Sequence, residues 1–177
     1  MTHFKVTSMY GVVCAAMNFA LIMLLYLINM NLLAEWYVGM LAFLIIVVFQ
    51  FLGTVAARKA HGVPFSFGMA WKESMTVAAV AQIAGVALTL VLYQVIAPEL
   101  PGVLEQITLD KSMEMMEGFG MSGDMLELQM REIKKAMSEA YTAKGLLKSS
   151  AYAMLMWAII SLIVAAITRR DQPSEFA

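Results

Sequence analysis

The sequence predicts an all-α integral membrane protein, with four transmembrane helices and an extramembrane amphipathic helical hairpin between helices 3 and 4. Three observations predict it. Hydrophobic residues fill 61% of 177 positions and charged residues only 14%, where a soluble domain carries about 25% charged residues. The mean hydropathy of +0.75 reflects apolar blocks, four of them near the roughly 20 residues that cross a bilayer. The one long stretch between blocks instead mixes charges with a helically spaced apolar stripe.

The blocks fall at about 8–28, 36–57, 75–96 and 146–167, within a single membrane domain covering 1–177. Hydrocarbon offers the backbone no hydrogen-bond partners, so each block should be a helix. The first is read as a retained span: it outruns a signal-peptide core, and Asn29-Met30-Asn31 is no small-residue cleavage site. Cys14, the one cysteine, excludes an internal disulfide and reads as a small packing residue.

Lys5, Arg58, Lys59, Lys72, Arg169 and Arg170 fall on one side if the spans alternate. Basic residues mark the cytoplasmic side, so both termini are expected there. The opposite side receives the 29–35 turn, which has no basic residue, and an acidic extracytoplasmic segment, 98–145. Trp36, Tyr37, Tyr26, Tyr93 and Tyr152 form an outer aromatic belt, Tyr10 and Trp71 an inner one.

Between the second and third blocks, Gly62 and Pro64 mark a turn and Ser66 a helix N-cap. Phe65, Phe67 and Trp71 are placed in the interface, with Arg58, Lys59 and Lys72 toward phosphates, as a lipid- or partner-contact surface. The run Gly62-Val-Pro-Phe-Ser-Phe-Gly-Met-Ala70, the segment Tyr93-Gln-Val-Ile-Ala-Pro-Glu-Leu100 and a Met- and Glu-rich stretch before the fourth block occur in that order. Together they resemble domain-of-unknown-function family 4199, small bacterial inner-membrane proteins. The resemblance covers nearly the whole chain and implies topology and a bacterial inner membrane, with no chemistry attached.

Intramembrane ionisable groups are functional flags, and none lies at mid-depth here; Glu35 and Glu73 are read at helix ends. Asn18 and Gln82 are the deepest polar residues and are assigned, with Gly53, Ala81 and Gly85, to helix packing. Met113, Met115, Met116, Met121, Met125 and Met130 could suit Cu(I). No Cys or His joins them in the outer segment, so they are read as apolar lining, with no metal and no cofactor. Leu126, Met130, Ile133, Met137 and Tyr141 recur at helical spacing and are expected to be buried as a partner-contact stripe. That helix is expected to bend near Gly145 and continue into the fourth span, projecting on the order of 30 Å.

No nucleophile elbow, phosphate loop, zinc signature or catalytic carboxylate pair is present, and catalytic residues are assigned to none. The expected function is therefore non-enzymatic: a scaffold or accessory subunit whose partners are the phospholipid bilayer and other membrane subunits or copies of itself, not nucleic acid. Two alternatives stay open. One is a lipid- or small-solute-handling protein using the Met-rich outer groove, the other an anchor for a cytoplasmic-face enzyme acting on lipid-linked substrates.

Overall fold

The computed structural model describes residues 3–62 and 64–170. Residues 1, 2 and 171–177 of the single domain, and Val63 of the loop motif, lie outside the described residues. In chain order the elements are α1 (His3–Ile28), α2 (Trp36–His61), α3 (Phe67–Val91), α4 (Leu100–Gly118), α5 (Asp124–Ala140) and α6 (Ala143–Thr168). The stretches Phe4–Ile28, Trp36–His61, Phe67–Ile96 and Ala143–Thr168 are long and apolar enough to cross a membrane. Only 17% to 28% of their most apolar windows is buried inside the chain, so most of that surface needs an apolar solvent.

Local chemistry sets the boundaries. Asn29 opens a 3₁₀ turn (Met30–Ala34) between α1 and α2, its side chain accepting from the Asn31 N–H at 2.9 Å. Gly62, at φ 82°, closes α2 in a conformation that a side chain would strain. Ser66 caps α3 by accepting from the Met69 N–H. The third helix thus starts at Phe67 rather than near 75, which puts Lys72 and Glu73 inside it. It ends in a wide π turn, where the Ala97 N–H reaches the Leu92 carbonyl at 2.8 Å.

Each of α2 and α3 packs against the other and against both α1 and α6, whereas α1 and α6 share no comparable interface. The four helices therefore form a rhombus in cross-section, with α2 and α3 on the short diagonal. Two glycines permit the closest crossings. A Cβ on Gly11 would lie 2.7 Å from Val80 Cβ, and one on Gly53 would lie 2.7 Å from Val77 Cγ2.

At the end of the bundle where α1 turns into α2, α4 packs on the Met30–Ala34 turn. Leu100 and Leu104 are buried against Tyr26, Met30 and Leu33. About 10 Å beyond Leu104 along α4, Lys111 meets Glu35 at 2.6 Å. The Tyr26 hydroxyl donates to Glu99 at 3.0 Å. α5 folds back on α4, and Leu126, Met130, Ile133, Met137 and Ala140 are its half-buried residues, the remainder being exposed. Tyr141 follows that stripe onto the Leu100–Leu104 cluster and meets Tyr93 edge-on at 5.8 Å.

The expected continuous helix through Gly145 is not formed. α5 stops at Ala140, Thr142 is extended, and its hydroxyl accepts from the Gly145 N–H at 3.0 Å to begin α6 afresh. Gly145 is needed for close approach rather than for a bend, because a Cβ there would run into the Glu139 carbonyl. With the rigid connection gone, α5 lies over α4 instead of forming a lever.

Candidate functional site

Three places gather polar or exposed side chains: the bundle interior, the end carrying the chain termini, and the α4–α5 pair. The interior holds a node shared by three helices. Gln50 of α2 donates from Nε2 to Ser161 Oγ of α6 at 3.1 Å, and Ser74 of α3 donates to the same oxygen at 3.1 Å. Thr54 turns back to the Gln50 carbonyl at 2.7 Å. All four residues are fully buried, so water cannot replace a missing partner. Ser161→Ala should therefore cost about 1–2 kcal/mol, read as a lower unfolding midpoint in mild detergent. An unchanged midpoint would mean that the node adds nothing to α6 docking.

One turn from this node, Trp157 is 4% exposed and stacks on Phe43 with centroids 5.4 Å apart. Its Nε1–H donates to Gln82 Oε1 at 3.3 Å. Gln82 and Asn18 border a cavity of about 350 Å³ lined by α1, α3 and α6 together with Ile46 of α2, where α1 and α6 do not meet. Asn18 donates to the Cys14 carbonyl at 3.2 Å, and its Oδ1 is buried with no hydrogen-bond partner. Ala81 is buried, but an added Cβ on Gly85 would have nothing within 4 Å. Gly85 thus opens the cavity rather than making the helix contact assigned to it, because α1 and α6 diverge there.

At the terminal end, Phe65 is buried on Ala70 and Ala165, and its backbone pairs both ways with Arg170 at 2.9 Å. The chain itself covers this ring, which leaves Phe67 and Trp71 as the exposed aromatics of the loop surface. Arg58 donates to the Thr168 carbonyl at 3.0 Å, where a cation favours the C-terminus of α6. Trp71 Nε1–H donates to the Ala158 carbonyl at 3.2 Å. Lys59 and Lys72 are exposed. Further in, Thr7 donates to Glu73 at 3.0 Å, linking α1 to α3.

The far end of the α4–α5 pair is apolar yet uncovered: Met115, Phe119, Met125 and Leu128 are 64%, 80%, 65% and 61% exposed. Met113 and Met121 are also exposed, while Met116 and Met130 are half-buried. Among the described residues no three His, Cys, Asp or Glu gather as metal ligands would. Near the bundle, burial pushes the Tyr141 phenol up from its ordinary value and Glu105 adds to this, while a hydrogen bond with Thr108 pulls it back.

Ser74 and Gly11 were missed by sequence reasoning, and Gly145 was read as a bend rather than as a close approach. Ser74 was hidden by the late start given to the third helix, although Ser66, already recognised as a cap, implies a helix from Phe67. No curated protein and no solved structure matches the chain. A family model does match, over residues 9–170, the stretch that holds the bundle, the loop motif and the α4–α5 pair. The chain belongs to the family described as proteins of unknown function, DUF4199.

Proposed function

We propose that the protein is a non-enzymatic accessory subunit of a complex in the bacterial inner membrane. In this reading both termini are cytoplasmic and the α4–α5 hairpin stands outside, which the basic residues at one set of helix ends support. The observation that carries this reading is the exposed apolar end of that hairpin, Met115, Phe119, Met125 and Leu128. Apolar side chains grouped in water mark contact with another protein. The buried Leu100–Leu104 cluster docks the start of α4 on the bundle, with the Lys111–Glu35 ion pair and the Tyr26–Glu99 hydrogen bond at its exposed edge.

Cysteine placed at 119 tests the reading, because Cys14 is buried and slow to compete for a thiol reagent. Intact cells are treated with a membrane-impermeant maleimide carrying a photoactivatable group. The expected result is labelling from outside, then a light-dependent adduct with a second membrane protein or a second copy. Labelling only after the membrane is opened would overturn the sidedness. Labelling without any adduct would overturn the subunit reading.

A further inference from the structure

The rhombic packing leaves one gap that the accessory-subunit reading does not use. α1 and α6 flank α3 without joining, and the 350 Å³ cavity occupies the space between them. Its volume lies in the range of small-ligand pockets. Its position runs from mid-helix toward the hairpin end: Asn18 and Gln82 lie at the deep side, and Thr89, Ser149 and Ser150 nearer the end of the bundle. Most of the wall is apolar, with Phe19, Ile22, Ile46 and Val86 among it.

A second cavity, of about 550 Å³, lies at the junction of α5 and α6. Ser149 lines both, so the two are adjacent. The second carries Lys144 and Lys148, one helical turn apart on α6, against one carboxylate, Glu139. An apolar slot among the four long helices, adjoining a pair of lysines at its end, has the polarity order of an anionic amphiphile.

We propose that the α1–α6 cleft binds a single acyl chain of an anionic amphiphile, with its phosphate or carboxylate on Lys144 and Lys148. The hydroxyls of Ser149 and Ser150 face the ester level of the ligand. Asn18 and Gln82 bound the deep end, where their amides stop an apolar chain and so limit its length. Gly85 is the position that keeps the slot open, since nothing lies within 4 Å of where its side chain would start. The site is independent of the hairpin's apolar end, so either proposal can fail alone.

Trp157 provides the measurement. It is buried, and its indole N–H is held by Gln82, a residue of the cleft wall. In a chain with Trp36→Phe and Trp71→Phe it is the remaining tryptophan among the three. Bromine on surrounding lipid gives a background of quenching common to both vesicles, and an acyl chain in the cleft, against Gln82, adds to it. The protein is reconstituted in vesicles containing brominated-chain phosphatidylglycerol or, at equal mole fraction, brominated-chain phosphatidylcholine.

The added quenching should reach half its maximum at about thirtyfold lower mole fraction of phosphatidylglycerol, the preference expected of two lysines near a lipid surface. Gly85→Leu, which fills open space, should abolish that quenching. Lys144→Gln with Lys148→Gln should remove the preference between lipids but leave residual quenching. A brominated fatty acid added to phosphatidylcholine vesicles separates the sources: added quenching by the acid and not by phosphatidylglycerol assigns the site to a free carboxylate amphiphile. Equal quenching by both phospholipids, or quenching unchanged by Gly85→Leu, would overturn the proposal.

Discussion

Gly11→Val should be among the most damaging single substitutions in the bundle, lowering stability by about 3 kcal/mol or more. The reason is where the new atoms go. A Cβ at position 11 would lie 2.8 Å from the Val77 carbonyl oxygen as well as 2.7 Å from Val80 Cβ. A flexible side-chain end could swing aside, but a carbonyl inside α3 cannot move without breaking that helix's own hydrogen bonds. Relief must come from separating α1 from α3, and α3 also carries α2 and α6. The separation would therefore loosen the whole rhombus. Unfolding followed by circular dichroism in a denaturing-detergent titration measures this. Gly85→Val is the control, because its Cβ meets nothing within 4 Å and its cost should be several-fold smaller. Equal losses at both positions would show that α1 and α3 do not cross at Gly11.

Gly145→Ala should have an effect of similar size but confined to one region. Its Cβ would strike the Glu139 carbonyl and approach Ala140 Cα to 2.9 Å, both backbone atoms of the last turn of α5. The reversal at Tyr141–Thr142 would have to open, drawing Tyr141 away from Tyr93 and the Leu100–Leu104 cluster. Forcing two backbones apart costs about 1–3 kcal/mol, all of it borne by the α4–α5 pair. The expected readout is faster amide hydrogen exchange through α4 and α5, with exchange in α1, α2 and α3 unchanged. Gly39→Ala, which meets nothing within 4 Å, should leave both regions as they were. If exchange rises uniformly along the chain after Gly145→Ala, the junction is not a separate element.

The four long helices were legible because each contains a charge-free run of about 20 mostly apolar residues, a signal independent of tertiary context. The stripe from Leu126 to Tyr141 was legible for a related reason: a helix packed on one side writes its period into the sequence. Helix ends were less clear. Lys72 and Glu73 looked like loop residues because they are charged, yet the Ser66 cap carries α3 through them and Thr7 meets Glu73 from the neighbouring helix. The break after Ala140 could not be read, since Tyr141, Thr142 and Ala143 contain no strong helix breaker; steric crowding at Gly145 and the Thr142 cap decide it. The cleft was also illegible. Ala81 and Gly85 carry the spacing of a close helix contact, and only the relative placement of α1 and α6 makes the second of them an opening.

The node formed by Gln50, Ser74 and Ser161 has a consequence for the order in which the molecule is made. The first two residues enter the membrane on α2 and α3, and the third arrives only after the chain has traversed α4 and α5. At roughly 5–20 residues per second of synthesis, that interval is several seconds. During it, an amide and a hydroxyl wait in hydrocarbon without their acceptor, on the face that α6 will cover. The three-helix intermediate is thus marked as unfinished by chemistry rather than by shape. Its remaining vacancy is matched by a helix that brings a hydroxyl to the depth of Ser161.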